Sequence, residues 1–227
     1  MDDEQRAHMD GLSVEGCTRC PALVDSRSRI VDGVGPADAD VLFVGEAPGA
    51  QEDANGEPFV GRSGSVLDEQ LRIVGLDRET VRITNCVRCR PPENRDPTTD
   101  ELGNCRGYLE AEIARVDPEV IVTLGKVPAE HLLGRTVAVT TEAGTVEEVR
   151  LGTVGADVGC GEDGDDGDAA AVEDGVPRRV LICLHPAATL YDRSQEDAFA
   201  ETIATAAELA GVSRTDGASG QSRLGEF

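Results

Sequence analysis

The chain has 227 residues, with 44 acidic and 21 basic side chains, and its formal net charge is −23. A hydrophobic content of 39% over this length can bury one core of ordinary size, so we expect a single domain over residues 1–212 and a flexible tail over 213–227. No apolar run approaches the roughly 18 residues that a membrane span requires, so we expect a cytoplasmic protein with no membrane partner. We also expect a monomer. In dilute solution the charge would also exclude a nucleic-acid partner, because two polyanions repel each other.

The acidic excess has a second explanation, which is the solvent. In salt near 1 M the Debye length is about 3 Å, so surface charges are screened and the net charge says little about partners. We therefore interpret the charge as adaptation to a halophilic, salt-rich cytoplasm, where it is compatible with a DNA partner.

Strand-like and helix-like segments alternate along the chain. Short apolar runs rich in β-branched residues predict four buried parallel strands at Val41–Gly45, Val81–Asn85, Val120–Gly125 and Val180–Leu184. Helical patterns lie between and after them, at Val66–Val74, Thr99–Arg115, Pro128–Leu133 and Gln195–Ala210. The alternation predicts a three-layer α/β/α fold with a central four-stranded parallel sheet.

One segment does not fit this core. Residues 156–177 are acidic and glycine-rich, with no basic residue, so they should form a disordered insertion that buries too little apolar surface to offset its ordering entropy. The closely spaced Asp163, Asp165 and Asp168 lack the spacing and the closing glutamate of a calcium loop.

Polar residues follow three of the predicted strands at their carboxyl ends, where parallel sheets bind ligands. The first strand runs into Gly45-Glu46-Ala47, the second ends at Asn85, and the fourth ends at His185. We expect these ends to form one site. Phe59 lies in a loop rich in glycine, where it would either fill the core or stack on a flat ring.

The cysteines allow two metal sites. Cys17 and Cys20 form one C-x2-C pair, and Cys86 and Cys89 form another. The alternative set replaces Cys86 with Cys105, and spacing alone does not decide between them. Four thiolates can hold zinc or an iron–sulfur cluster, so the spacing does not decide the identity of the metal either. Cys160 and Cys183 have no pairing partner in the sequence.

Four motifs, GEAPGAQED, PFVGRSG, TNCVRCRPPENRDP and LHPAATL, occur in this order. Together they resemble the family 4 uracil-DNA glycosylases, the iron–sulfur type of archaea and thermophilic bacteria. The resemblance covers residues 12–152 and 178–211. It implies the uracil-glycosylase fold and hydrolysis of the N-glycosidic bond of uracil in single- or double-stranded DNA. It also implies a [4Fe-4S] cluster held by Cys17, Cys20, Cys89 and Cys105.

The resemblance further implies a role for each site residue. Phe59 would stack on the flipped base, and Asn85 would distinguish uracil from cytosine. The catalytic residues would be Glu46, Asn94 and His185. The residues that contact uracil would be Gly45, Glu46, Ala47, Glu52, Phe59, Asn85 and His185.

The chemistry of the reaction suits these residue types. We expect His185 to donate a hydrogen bond to the uracil anion and Glu46 to position water and stabilise the cationic sugar, with help from Asn94. Arg78 to Arg95 form a modestly basic strip. The candidate DNA contacts are Arg62, Arg88, Arg90, Arg95, Leu190, Tyr191 and Arg193, with Leu190 or Tyr191 as a wedge.

Three other functions compete with this interpretation. An iron–sulfur redox protein would need the cysteines but not Phe59, Asn85 or His185. A glycosylase for another deaminated base would keep the whole site, and a non-catalytic DNA-binding module would not need its polar residues.

Overall fold

The computed structural model describes residues 8–10, 12–151 and 175–212. Its central sheet contains the strands β3 (Val41–Gly45), β4 (Arg82–Asn85), β5 (Val120–Leu124), β6 (Val146–Leu151) and β7 (Val176–Cys183). They lie in the order β4-β3-β5-β7-β6, with all neighbours parallel except β6 and β7. A separate antiparallel hairpin joins β1 (His8–Asp10) and β2 (Ser13–Glu15).

The α/β fold class and the four parallel strands are confirmed, but within the described residues the sheet has five strands rather than the expected four. The additional strand is β6, the antiparallel edge. Its residues are mostly exposed or half-buried and include Glu147, Glu148 and Arg150, so it lacks the apolar run that identifies a central strand. Charged side chains are typical of edge strands, where they prevent pairing with other chains.

Eight helices surround the sheet in the described part of the chain. They are α1 (Pro21–Ser26), α2 (Ala50–Asn55), α3 (Arg62–Ile73), α4 (Thr99–Val116), α5 (Lys126–Leu133), α6 (Val139–Glu142), α7 (Pro186–Tyr191) and α8 (Glu196–Leu209). The cap of α4 is Thr98, the residue before the Thr99 at which the sequence pattern begins. The Thr98 hydroxyl accepts from the Glu101 N–H at 3.2 Å, and the Glu101 carboxylate accepts from the Thr98 N–H at 2.8 Å.

Helices cover both faces of the sheet because successive strand residues point to opposite sides. Phe43 on β3 packs with Leu67 and Leu71 of α3 and with Ile203 of α8. On the other face, residues of β3 and β5 pack with α4 and α5 in a cluster that includes Leu42, Val44, Leu109, Ile113, Ile121 and Leu132. These two packed faces give the three layers.

The expected acidic insertion lies outside the described residues except for 175–177, of which 176 and 177 belong to β7. The expected tail at 213–227 also lies outside them. Leu151 ends β6 before the acidic insertion, and Val176 begins β7. These two residues are paired with each other. His185 follows the carboxyl end of β7. Leu151 and Val176 therefore lie at the opposite end of this strand from His185.

In the described part of the chain, no helix has the length and apolar character needed to cross a membrane.

Candidate active site

A cavity of about 150 Å³ lies at the carboxyl ends of the parallel strands. Its volume suits one small flat ring, because pockets for drug-sized ligands measure about 300–1,000 Å³. It is lined by Glu46, Ala47, Glu52, Phe59, Ser63, Asn85 and His185. All but Ser63 were expected from the sequence. Ser63 follows Phe59 in the PFVGRSG motif, in the first turn of α3, and that proximity was the signal available for it.

Gly45 is not itself a lining residue, but it lets two lining residues come close together. Gly45 ends β3 and is paired in register with Asn85, which ends β4. A Cβ atom at Gly45 would lie 2.3 Å from Asn85 Oδ1 and 2.4 Å from Phe59 Cε2. Only glycine therefore lets the amide of Asn85 and the ring of Phe59 both close on the end of β3.

Phe59 has a strained backbone. Its φ is +54°, in the left-handed region where a bulky residue costs about 1–3 kcal/mol unless its surroundings fix it. The ring is buried, and its centroid lies 5.7 Å from that of the His185 ring at an interplanar angle of 34°. Strain of this kind is typical of a residue whose placement serves a site rather than the core alone.

His185 is held in one orientation as the residue before α7. Its Nδ1 accepts a hydrogen bond from the backbone N–H of Ala187 at 3.1 Å. Burial lowers the pKa of the ring, so the neutral form dominates at pH 7. Gly125, with φ +110°, lies behind it, and a Cβ there would be 3.2 Å from the Cβ of His185.

The two carboxylates of the cavity have different environments. Burial, with a smaller contribution from the charge of Asp96, raises the pKa of Glu46 to about 7. Glu52 Oε2 accepts from the Gly49 N–H at 3.0 Å, which closes the turn that begins α2. Glu46 is therefore suited to proton exchange near neutral pH, while Glu52 also shapes the loop.

The comparisons agree with this geometry. The model of the Uracil DNA glycosylase superfamily matches residues 33–207. A type-4 uracil-DNA glycosylase of Archaeoglobus fulgidus is 36% identical over 199 residues, which cover 87% of this chain and 90% of that protein. The chain belongs to the type-4 uracil-DNA glycosylases.

Two further type-4 uracil-DNA glycosylases support this assignment. The protein of Thermotoga maritima is 45% identical over 132 residues, covering 58% of this chain and 68% of its own. That of Sulfurisphaera tokodaii is 44% identical over 123 residues, covering 54% and 56%. The family resemblance of the four motifs is thus confirmed.

Asn94, a catalytic residue according to the family resemblance, is not among the residues that line the cavity in this type-4 chain. It is exposed, with φ +54°, at the end of a 3-10 turn over Pro92–Asn94. Its Oδ1 accepts a hydrogen bond from Arg90 Nε at 2.7 Å. The structure therefore brings Asn94 to Arg90 rather than to the residues around Phe59.

Arg88, one of the candidate DNA contacts, is buried in the structure. Its side chain is 2% exposed and donates to Asp32 and to Glu112, each at 2.7 Å. Glu112 is itself fully buried and also accepts from Arg82 Nε at 2.7 Å and from Thr84 Oγ1 at 2.8 Å. Arg88 belongs to a buried ionic network, so the strip from Arg78 to Arg95 is less basic at its surface than its sequence indicates.

The other DNA-contact candidates differ in availability. Arg95 is bound to both oxygens of Glu101 at 2.7 Å. Arg193 is 92% exposed, with Glu196 at 3.9 Å, and Arg62 is exposed at the start of α3 beside Ser63. On α7, Leu190 is 38% exposed and Tyr191 is 88% exposed. Arg62, Arg193 and the end of α7 therefore remain the accessible candidates.

Four cysteines belong to one cluster that includes the chain just after β4. Cys17, Cys89 and Cys105 are buried in one cluster with Cys20 packed against it, whereas Cys86 belongs to the core beneath β3. Arg27 Nη1 donates to Cys89 Sγ at 2.8 Å, and Asn104 Nδ2 donates to Cys20 Sγ at 3.4 Å. Among the described residues, no group of three or more metal-type side chains converges as a site for a single ion.

Proposed function

We propose that this protein excises uracil from DNA by hydrolysing its N-glycosidic bond, which leaves an abasic site. The observation that carries the proposal is the convergence of a buried aromatic ring, a buried amide and a neutral imidazole on one cavity of about 150 Å³, provided by Phe59, Asn85 and His185. A flipped base needs a stacking surface, a hydrogen-bond partner for its edge and a donor for its developing charge.

Asn85 supplies the recognition. An amide donates from its nitrogen and accepts at its oxygen, so it pairs with a uracil carbonyl and the adjacent N–H. Cytosine presents the opposite pattern, with a ring acceptor beside an exocyclic donor. Asn85 is 3% exposed, and the glycine at position 45 leaves space for its Oδ1 beside the end of β3.

His185 and Glu46 supply the chemistry. When the bond between the sugar and uracil breaks, its electron pair goes to the base, and the His185 Nε2–H donates a hydrogen bond to the resulting anion. Glu46 positions water and, in its ionised form, stabilises the cationic sugar. The water oxygen forms the new bond to the sugar, and its proton passes to the Glu46 carboxylate, from which the base is finally protonated.

DNA would bind through local charge and shape. Arg62 and Arg193 are exposed and could contact phosphates, and Leu190 or Tyr191 could occupy the space that the flipped base leaves. High salt would weaken the contribution of the phosphates while it screens the net charge of the protein. Because screening also reduces the repulsion between this acidic chain and DNA, we expect activity to persist in salt concentrations that dissociate ordinary DNA-binding proteins.

We also propose that Cys17, Cys20, Cys89 and Cys105 hold a [4Fe-4S] cluster. Their clustering, the separation of Cys86, and the donors that Arg27 and Asn104 direct at two of the sulfur atoms support this choice. When bound, the cluster would crosslink the segment that follows Asn85 to α4 and to the chain before α1. Its contribution would be to the placement of this segment rather than to electron transfer.

Incubation of the purified protein with an oligonucleotide that contains one uracil, followed by alkaline cleavage, tests the activity. It should be run from low to multimolar salt, with a thymine oligonucleotide as the substrate control and Glu46→Gln as the inactive control. Strand cleavage only at uracil is expected. Absence of abasic product at every salt concentration would remove the proposal.

The Asn85→Asp variant tests base recognition and separates the competing functions. A carboxylate accepts from the exocyclic amine of cytosine but cannot donate to uracil, so uracil release should fall and cytosine release should become detectable. If Asn85→Asp released uracil at the wild-type rate, Asn85 would not read the base. Hypoxanthine- and xanthine-containing oligonucleotides, tested on the wild type, address glycosylases for other deaminated bases.

A further inference from the structure

An arginine outside the cavity binds the strained backbone of Phe59. Arg78 lies between α3 and β4 and is not among the residues that line the cavity. Its Nη2 donates to the carbonyl oxygen of Phe59 at 2.5 Å, and its Nη1 donates to the carbonyl oxygen of Pro58 at 3.1 Å. Its Nε is held by the carboxylate of Asp68 on α3 at 2.7 Å. One guanidinium thus joins α3 to two successive carbonyls of the Phe59 loop.

The Phe59 loop needs this support because its backbone is strained. A residue other than glycine at φ +54° persists when the surroundings over-determine its conformation. The first turn of α3 packs on the same carbonyl, since a Cβ at Gly64 would lie 1.6 Å from the Phe59 oxygen. The peptide after Phe59 is therefore enclosed between Gly64 and Arg78, and the direction of the Phe59 ring follows from the direction of that peptide.

The contact also requires arginine chemistry. A guanidinium presents five N–H groups in a rigid planar fork, so it can bind two carbonyls and a carboxylate at once. A lysine ammonium at the same place could satisfy some of these acceptors but would not fix their relative directions.

We propose that Arg78 is a positioning residue for base excision, which holds Phe59 in its left-handed conformation and so keeps the ring against the cavity. The inference rests on the proposed function, because that function gives the Phe59 ring its role against the base. It assigns to Arg78, which the sequence places in a basic strip, a role that does not involve DNA.

The first test needs no DNA and no activity. The chain has no tryptophan, so Phe59→Trp introduces a single tryptophan at the site, whose fluorescence can be excited selectively. Acrylamide quenching of this reporter should rise when Arg78→Ala is added and stay unchanged when Arg72→Ala is added. Arg72 is the matched control, since it is exposed on α3 and its loss removes the same charge. Equal quenching with and without Arg78 would overturn the proposal.

The second test measures uracil release. Arg78→Ala should lower kcat/KM by about 10- to 10²-fold, as expected when a side chain that positions the substrate is misplaced by about an ångström. Arg78→Lys and Asp68→Asn should show smaller losses, and Arg72→Ala should show none. In a Phe59→Ala background, Arg78→Ala should cause little further loss, whereas independent effects would multiply and contradict the proposal.

A direct contact between Arg78 and a phosphate is the remaining alternative, since the side chain is 27% exposed. Loss of one phosphate contact reduces the slope of log Kd against log salt concentration by about 1. An unchanged slope for Arg78→Ala is expected, and a reduced slope would overturn the positioning role. If the wild type released no uracil, the proposed function would fail, but the quenching experiment would still decide whether Arg78 holds residue 59.

Discussion

The Nδ1 atom of His185 accepts a hydrogen bond from the backbone N–H of Ala187 at 3.1 Å. A neutral imidazole that accepts at Nδ1 carries its proton on Nε2, and burial lowers the pKa of this ring. His185 therefore offers a hydrogen-bond donor to the cavity without bearing a charge. A neutral donor binds a developing anion well while leaving the uncharged substrate base without strong attraction, which favours the transition state.

Removal of this donor should mainly slow the chemical step. We expect His185→Ala to lower the single-turnover rate on a U:G duplex by about 10²–10³, the usual cost of losing one preorganised donor. Substrate affinity should change much less. His131→Asn, on α5, provides a matched histidine control. A rate near that of the wild type for His185→Ala would exclude His185 from the mechanism.

The pH dependence should follow Glu46. Burial raises its pKa to about 7, so the carboxyl group is protonated below this pH and ionised above it. Only the ionised form can accept a proton from water, and the rate should therefore fall as pH falls through about 7. His185 adds no second change to the pH–rate profile near pH 7, because its lowered pKa keeps the ring neutral there. The profile should therefore have one limb, which reports Glu46.

Two variants check this assignment through single-turnover rates measured from acid to alkaline pH. Asp96→Asn removes a negative charge that raises the pKa of Glu46, so the limb should move to lower pH. Glu46→Gln should be slow and have no limb near pH 7. A limb that persists in Glu46→Gln would assign the ionisation to another group.

Arg27 should protect the proposed iron–sulfur cluster. It donates to Cys89 Sγ at 2.8 Å and to the carbonyl oxygen of Cys17 at 2.6 Å, so it connects two of the proposed ligands. Arg27→Ala should lower the iron content of the purified protein and hasten loss of its visible absorbance in air. Arg29→Ala is the matched control, and Cys86→Ser should retain the iron. Loss of iron in Cys86→Ser but not in Cys105→Ser would favour the other cysteine set.

Glu112 should dominate the stability of the core that supports β4. It is fully buried and binds Arg82, Arg88 and Thr84. Removal of the carboxylate leaves two buried arginines without it, so Glu112→Ala should lower the free energy of unfolding by about 3–5 kcal/mol. Glu119→Ala breaks an exposed pair with Arg179 and should cost no more than about 1 kcal/mol. Urea unfolding of both variants compares the two costs, and similar values would contradict the importance of the network.

The sequence was most informative where local pattern and topology coincide. Parallel strands buried on both faces give continuous apolar runs, and their carboxyl ends meet at one edge, so the site residues from Gly45, Asn85 and His185 could be grouped in advance. The exposed edge strand β6 has no such run. The strain at Phe59 is not visible in a sequence either, since it results from packing around the loop.

Contacts between distant residues explain the remaining differences. Arg88 lies among other arginines in the sequence, but its partners Glu112 and Asp32 are 24 and 56 positions away. Sequence spacing likewise did not decide between Cys86 and Cys105 as a candidate ligand. In the structure the two cysteines are buried in different clusters. Asn94 follows the cluster-type cysteines closely, yet its turn directs it to Arg90.

The pairing of Leu151 with Val176 has a consequence for the history and engineering of this chain. Adjacent antiparallel residues can be joined by a turn of about two residues, so the fold requires little of the chain that connects them. β7 has eight residues and separates this junction from the catalytic edge by roughly 25 Å. Additions and deletions at the junction should therefore accumulate without selection against them at the cavity. The same position is suited to the insertion of a label or a second domain in a glycosylase that keeps its substrate face open.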